Sequence, residues 1–314
     1  MRIVSLVPAA TEIVAALGFG DRLVGVSHEC DHPAAVRALP RVTRSLMPSE
    51  ATSAAIDAVV REHVAAARPL YELDARALAD LRPDLVITQS LCDVCAVAED
   101  DVRRSLARLP GPPRLLTLSP ATLADVVGDL RRVAEAAGEG ARAAASVAPL
   151  EARLDRVRER SARLPRPAGV VVLEWLDPLF SAGHWCPGVV AAAGGRDLLG
   201  REGERSRVIG WDEVVAVAPE IVVVAACGFD VVRASADLPL LERLPGFRAV
   251  PAVRDGTVFV IDGNALLSRP GPRLVDAAEL LGHMFHPGLH PRPEWLTAAF
   301  ARRITVDHPA GVAV

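Results

Sequence analysis

The sequence predicts an α/β protein built as two Rossmann-like α/β lobes that are joined by one long interdomain helix. Short apolar runs alternate with helical patterns before residue 139, and the same alternation resumes after residue 164. Between the two series lies an amphipathic helix at 139–164, which at 1.5 Å per residue would be roughly 39 Å long, the length of a small domain. We therefore expect a single ligand cleft between the two lobes.

The chain divides into four predicted segments. They are an N-terminal α/β lobe at 1–138, the long linking helix at 139–164, a C-terminal α/β lobe at 165–285 and a Pro-rich tail at 286–314. A chain of 314 residues is long enough for two domains that each have a core. Gly138 is the expected break before the long helix, and Pro149 is expected to bend or divide it.

The elements of the N-terminal lobe follow from apolar runs and helix signals. The predicted strands are Ile3–Val7, Leu23–Val26, Leu85–Thr88 and Leu115–Leu118. A short helix ends near Gly18, residues 34–52 are expected to be irregular, and a helix at Ser53–Ala67 has Ser53 as its predicted N-cap. Another helix is predicted at Asp74–Leu81.

The C-terminal lobe repeats this pattern. Its predicted strands are Gly169–Leu173, Ile221–Ala225 and Val258–Ile261. Helices are expected from residue 186, at Trp211–Val217, and in a final segment that ends near Phe285. In the tail we expect one short helix that starts at Pro293.

Composition excludes several classes of protein. Hydrophobic residues make up 51% of the chain and the net charge is −4, so we expect no nucleic-acid partner. All 35 basic residues are Arg, which excludes a Walker lysine and lysine Schiff-base chemistry. No apolar run approaches about 20 residues, so no membrane insertion is expected.

The beginning of the chain predicts a cytoplasmic location. The apolar run Ile3–Val7 is too short for a signal peptide, so a periplasmic or extracellular location would require that a leader was removed. An odd number of cysteines, five, also favours a reducing compartment.

The polar and aromatic turns of both lobes follow strands, and ligands of open α/β sheets sit beyond the carboxyl ends of the strands. These turns supply the predicted ligand-binding residues: His28, Glu29 and Gln89 in the first lobe, and Trp175, His184, Trp185, Arg207, Phe229, Asn264 and Arg273 in the second. The aromatic rings would line the site for a flat ligand, although each could equally belong to a lobe core. The histidines would supply an axial metal ligand or a hydrogen bond, or simply bond the backbone of their loops.

A metal site is the alternative interpretation. His28, Cys30, Cys92 and Cys95 are thiolate and imidazole ligands of the kind that zinc and iron–sulfur clusters take. One CxxC pair carries little specificity, and small buried cysteines in a tight turn fit the same pattern. The ligand-binding interpretation itself requires no metal ligands from the protein apart from an axial histidine.

Three motifs carry a resemblance to a known family. The run SLVPAATE at 5–12, the turn GVS at 25–27 and the run LRPDLV at 81–86 resemble the class III substrate-binding proteins of ABC importers. The resemblance covers about residues 2–285 and is greatest to the vitamin-B12 (cobalamin)-binding branch, in a subgroup without signal peptides.

The resemblance implies a non-enzymatic protein that binds a corrinoid, cobalamin or a relative, in the interlobe cleft and has no covalent cofactor. An exported protein would also dock on an ABC permease, whereas a cytoplasmic protein would act as a carrier or sensor. The rival function is that of a cytoplasmic metal- or iron–sulfur-binding protein with a redox or enzymatic role.

Overall fold

The computed structural model describes residues 1–47, 51–90, 97–305 and 308–313. The chain forms two compact units, the first made of residues 1–120 and 124–149 and the second of residues 121–123 and 150–314. Each unit holds its own sheet with helices packed around it, so the predicted two-lobed α/β architecture is confirmed.

The first unit contains a four-stranded parallel sheet and a separate two-stranded antiparallel sheet. Its strands are β1 (Ile3–Ser5), β2 (Leu23–Val26), β3 (Thr43–Ser45), β4 (Tyr71–Leu73), β5 (Leu85–Gln89) and β6 (Arg114–Leu118). The parallel sheet has the order β2-β1-β5-β6, and β3 pairs with β4. β1 and β5 are almost completely buried, as expected for strands covered on both faces.

The first six helices connect these strands and lead to the second unit. They are α1 (Pro8–Ala16), α2 (Ser53–Ala65), α3 (Ala75–Leu81), α4 (Glu99–Leu106), α5 (Leu123–Ala136) and α6 (Gly140–Ser161). Side chains cap α2 and α3: the Thr52 hydroxyl accepts from the N–H of Ala55, and the Asp74 carboxylate accepts from that of Ala77. The N-cap of α2 is therefore Thr52, not Ser53 as predicted.

The second unit is built on a larger mixed sheet. Its strands are β7 (Ala168–Leu176), β8 (Leu179–Ser181), β9 (Gly195–Asp197), β10 (Ile221–Val224), β11 (Val258–Ile261), β12 (Ala301–Thr305) and β13 (His308–Ala313). The order is β13-β12-β11-β10-β7-β8, with β9 also paired to β7. β7, β9, β10 and β11 are parallel, and the remaining strands add antiparallel edges.

Seven further helices surround this sheet. They are α7 (Cys186–Ala192), α8 (Trp211–Val217), α9 (Val231–Ala236), α10 (Leu238–Glu242), α11 (Pro251–Arg254), α12 (Gly263–Leu266) and α13 (Leu274–Phe285). The core consists mainly of Val and Leu from β7, β10 and β11. These three strands are thereby fixed side by side, with their carboxyl ends at one edge of the sheet.

The long helix lies close to its predicted position. It runs from Gly140 to Ser161, and Gly138 with φ +76° separates it from α5. Pro149 lies inside the helix without ending it, and the boundary between the two compact units falls directly after this proline.

Two predictions about less regular segments are wrong. The tail forms no helix at Pro293; instead, β12 pairs with β11 and β13 extends the sheet. Residues 34–52 are not wholly irregular, because Thr43–Ser45 pairs with Tyr71–Leu73 across a long stretch of sequence. Both errors concern strands whose partners are distant in sequence, and such pairings leave little local signal.

Arg153 joins the second half of α6 to α13. Its guanidinium donates to both oxygens of Glu279 at 2.7 and 3.0 Å and to Asp276 at 2.5 Å, and all three side chains are about three-quarters buried. Burial raises the pKa of Asp276, and the hydrogen bond from Arg153 acts against this rise.

We expect Arg153→Met to lower the free energy of unfolding by about 1–2 kcal/mol, because it leaves two half-enclosed carboxylates without their cation. The matched control is Arg158→Met on the same helix, since Arg158 and its partner Asp155 are both more than half exposed. The control should change stability by less than about 0.5 kcal/mol. Equal urea midpoints for the two variants would contradict this role of Arg153.

His290 anchors the start of the tail. It is 1% exposed, and its Nε2 lies 3.3 Å from the hydroxyl of Ser161. Since this hydroxyl donates its proton to the carbonyl of Ala192 at 2.8 Å, the imidazole must be the donor to Ser161. Its Nδ1 is then an enclosed lone pair, without a hydrogen-bond partner in the described part of the chain.

Burial, together with the neighbouring His286, Arg160 and His283, lowers the pKa of His290 to about 4. The unfolded chain takes up a proton near pH 6.5 and the folded chain does not. Stability contributed by this site is therefore constant above about pH 6.5 and falls as the pH drops towards 4, by up to roughly 3 kcal/mol.

We expect His290→Gln to remove about 2 kcal/mol of the stability lost between about pH 7.5 and about pH 5, measured by urea unfolding. Burial raises the pKa of Asp197 to about 6, which acts in the opposite direction but equally in parent and variant, so it cancels in the comparison. An unchanged pH dependence in His290→Gln would refute the assignment.

Candidate ligand-binding site

Three predicted site residues meet at the carboxyl ends of three neighbouring strands in the second unit. Trp175 lies at the end of β7, Phe229 follows β10, and Asn264 lies on α12 directly after β11. The rings of Trp175 and Phe229 are 5.0 Å apart at 44°, and the backbone N–H of Asn264 donates to the carbonyl of Phe229 at 3.1 Å. We call these three residues the rim.

The two aromatic rings of the rim are held in place by their surroundings. The indole N–H of Trp175 donates to the carbonyl of Asp177 at 3.0 Å. The guanidinium of Arg233 lies 4.2 Å over the ring of Phe229 and is itself paired with Asp237. Both rings pack on the core of the unit but remain partly exposed, so they offer an apolar surface of fixed orientation.

Asn264 is placed by the close packing of α12 against the end of β10. A Cβ at Gly263 would lie 2.4 Å from the carbonyl oxygen of Ala226, so glycine is required at this position. Asp262 caps the helix by accepting from the N–H of Ala265 at 2.7 Å. The side-chain oxygen of Asn264 accepts from the buried Arg269 at 2.9 Å.

Trp185 and His184 are predicted site residues that do not belong to the rim. Trp185 is 6% exposed and its indole N–H donates to the carbonyl of Leu267 at 2.8 Å, so it anchors the core. His184 stacks on Trp185 with 5.6 Å between ring centroids and is half-buried. Burial and the charge of Arg205 lower its pKa, which keeps the imidazole neutral at pH 7.

The two predicted arginines are not among the rim residues. Arg207 is exposed and forms an ion pair with Glu213 at 2.7 Å. Arg273 lies at the N-terminal end of α13 and is partly buried. Its charge also acts on Asp262, the N-cap of α12.

A partly buried polar cluster beside Trp175 was not predicted from the sequence. The carboxylate of Glu174 accepts from the hydroxyl of Ser206 and from the backbone N–H of Gly183 at 3.4 Å, and burial raises its pKa. Burial and Glu174 raise the pKa of Cys186 well above the usual thiol value, so this cysteine is a thiol rather than a thiolate. The sequence does contain a signal for this cluster, because Glu174 is a charged residue near the end of an otherwise apolar strand.

The candidate residues of the first unit also follow strands. His28 and Glu29 come after β2, and Gln89 ends β5. The backbone N–H and ring Nδ1 of His28 both lie within 3.0 Å of the hydroxyl of Thr43, and its ring is 5.4 Å from that of Tyr71. Tyr71 was not predicted to contact the site.

The imidazole of His28 is neutral at pH 7, because burial and the charge of Arg41 lower its pKa. Its Nε2 is enclosed and has no hydrogen-bond partner among the described residues; the nearest carboxylate oxygen, that of Glu29, is 4.0 Å away. A neutral imidazole of this kind can act as a metal ligand or can hydrogen-bond a ligand.

The alternative metal site is not assembled in the described part of the chain. Cys30 is 1% exposed, and its sulfur lies 3.0 Å from the hydroxyl of Thr11 and 3.1 Å from that of Ser27. Cys92 and Cys95 lie outside the described residues. Over the ranges that the structure describes, no group of three or more His, Cys, Asp or Glu side chains is arranged to hold a metal ion.

Two surface cavities of about 280 and 260 Å³ lie near the amino end of β7, away from the rim. One is lined by Ser161, Leu164 and Gly194, the other by Arg196 and Glu220. Neither contains a predicted site residue.

Comparison with known proteins decides the family. The family model described as "Periplasmic binding protein" matches residues 3–265, a span that includes all three rim residues. The chain belongs to the periplasmic binding protein family. It is therefore a substrate-binding protein rather than an enzyme, and the predicted resemblance to class III substrate-binding proteins of ABC importers is confirmed.

Individual members of the periplasmic binding protein family are similar over almost the whole chain. A haem-binding protein of Pseudomonas aeruginosa is 25% identical, with a TM-score of 0.70 over 93% of this chain and 95% of the other. The vitamin B12-binding protein BtuF of Vibrio cholerae shares the fold at 19% identity, with a TM-score of 0.65 over 90% and 96% of the two chains.

A relative from Bacillus subtilis, the uncharacterised ABC transporter substrate-binding lipoprotein YvrC, is 23% identical over 300 residues, which are 91% of this chain and 80% of that protein. A lipoprotein relative gives no support to the predicted cytoplasmic location of this periplasmic binding protein. Within the ranges that the structure covers, no helix is both long and apolar enough to cross a membrane.

Proposed function

We propose that this protein binds a corrinoid on the rim formed by Trp175, Phe229 and Asn264 and delivers it to the permease of an ABC importer. The observation that carries the proposal is the contact between Trp175 and Phe229 at the ends of two adjacent parallel strands. Two partly exposed rings of fixed orientation provide an apolar surface on which a large flat ligand can pack. The location of the ligand in a cleft between the lobes stays a prediction.

The polar residues have defined parts in this proposal. His28 or His184 supplies the one axial imidazole that a metal-holding macrocycle accepts, and the neutral state of both rings at pH 7 supports this role. Gln89, Glu29 and Arg273 meet polar groups at the ring edge. Trp185 and Arg207 have no direct part, because one is a core anchor and the other is already paired.

Haem is the second candidate ligand. Two similar structures, from Pseudomonas aeruginosa and from Roseiflexus, are described as haem-binding proteins and are 25% and 24% identical to this chain. Haem, like a corrinoid, is a flat ring whose metal accepts an axial ligand. The edge of haem carries carboxylates where a corrinoid carries amides. The same rim therefore serves either ligand.

Titration of the purified protein with cobalamin and, separately, with haemin tests the proposal. We expect saturable one-to-one binding of cobalamin with a Kd of about 1 μM or tighter, corresponding to about −8 kcal/mol. Cys92→Ser and Cys95→Ser should leave binding unchanged, because a corrin brings its cobalt already held by ring nitrogens. Binding of haemin alone would transfer the proposal to haem.

Loss of stoichiometric zinc or iron in the two Cys variants, with no macrocycle bound by the parent, would instead establish the rival metal-binding function.

A further inference from the structure

The side-chain amide of Asn264 has a defined orientation. A guanidinium carries five N–H donors and no acceptor, so the atom of Asn264 that lies 2.9 Å from Arg269 must be the carbonyl oxygen Oδ1. Arg269 is 6% exposed, and burial of the guanidinium holds the pair in place. The amide NH₂ is consequently directed away from Arg269.

This NH₂ group is available for a ligand. In the described part of the chain no protein oxygen accepts from Nδ2 of Asn264, and Nδ2 is not among the enclosed polar atoms that lack a partner, so it contacts solvent. The backbone N–H of the same residue is already taken by the carbonyl of Phe229, one of the two rim rings. The part of the Asn264 side chain that is directed away from Arg269 is thus a hydrogen-bond donor.

We infer that Asn264 determines specificity by donating from Nδ2 to an acceptor oxygen on the edge of the ligand that packs on Trp175 and Phe229. The inference rests on the proposed function and narrows the ligand class to rings whose edge carries a carboxylate or an amide carbonyl at this point. A ligand whose edge carries only donors at this point, such as an ammonium group, would face the NH₂ donors of Asn264 without forming a hydrogen bond. Such a ligand would bind more weakly.

The NMR signals of the side-chain NH₂ group in ¹⁵N-labelled protein report on this contact directly. The sequence holds one Asn and one Gln, so ¹⁵N-labelled protein shows only two carboxamide NH₂ pairs, from Asn264 and Gln89. Asn264→Asp identifies which pair belongs to Asn264. Cobalamin is a suitable probe because its cobalt(III) is diamagnetic. On saturation we expect the Asn264 pair to shift and its exchange with water to slow.

Asn264→Asp also provides an affinity test. Aspartate keeps an acceptor for Arg269 and a similar shape but removes both donors. We expect the Kd for cobalamin to rise about tenfold or more, and the rise to persist at high salt, where charge repulsion is screened. The matched control is Ser268→Ala, shortly after the end of α12, which should bind as the parent does.

The possible outcomes distinguish the inference about Asn264 from the proposed function on which it rests. An Asn264 NH₂ signal that does not move at saturation, or an Asn264→Asp variant that binds as tightly as the parent, would overturn the inference while leaving the proposed function intact. A parent that binds neither cobalamin nor haemin would overturn the proposed function, and the assignment of Asn264 with it.

Discussion

Trp175→Ala and Phe229→Ala are each expected to weaken cobalamin binding by about ten- to hundredfold. Each substitution removes one of two flat surfaces that contact each other at 5.0 Å, and a well-packed aromatic anchor is typically worth about 1–3 kcal/mol. Because the two rings act as a pair, the double variant should lose less than the sum of the single losses. Isothermal titration of the three variants measures all of these effects.

A second aromatic pair in the same unit serves as the control. Trp295 and Phe300 lie in the tail with ring centroids 5.3 Å apart, and neither follows a parallel strand. Trp295→Ala should therefore leave the Kd unchanged. Cobalamin binding that survives Trp175→Ala and is lost in Trp295→Ala would place the ligand elsewhere and would rule out the rim.

Trp185→Ala is expected to act on stability rather than on ligand contacts. The side chain is 6% exposed and its indole N–H donates to the carbonyl of Leu267, so truncation leaves a large cavity and removes this hydrogen bond. Large-to-small changes of this kind cost about 3–5 kcal/mol, which urea unfolding should register as a lower midpoint with an unchanged slope.

At low temperature, where most of the variant stays folded, its Kd for cobalamin should lie within about threefold of the parent's, a difference below about 1 kcal/mol. A stable Trp185→Ala protein with much weaker binding would show that Trp185 contacts the ligand, as the sequence suggested. Trp175→Ala should give the opposite pattern, with a small change in stability and a large change in affinity.

The buried parallel strands and the long helix could be predicted from sequence because their signals are local. β1, β2, β5, β10 and β11 are short apolar runs with turn residues on both sides, and Gly138 marks the start of α6. The strands β3, β8, β9, β12 and β13 could not be predicted in this way. All of them are short or mixed in character, and β3, β9 and β12 also pair with strands that are distant in sequence.

For the candidate site, the sequence indicated which turns follow strands but not which side chains in those turns contact one another. The rule that ligands sit beyond the carboxyl ends of parallel strands selected Trp175, Phe229 and Asn264 from the sequence, and the structure places these three residues next to one another. The same rule also selected Trp185, since residue type and a turn position cannot show whether a ring points into the core. The Asn264–Arg269 pair was missed for the same reason.

The structure of the protein crystallised with cobalamin tests the central claim most directly. We expect the corrin ring in van der Waals contact with Trp175 and Phe229, with an acceptor oxygen of the ring edge within about 3 Å of Nδ2 of Asn264. A corrin bound at a surface that does not include the Trp175–Phe229 pair would contradict the proposed site.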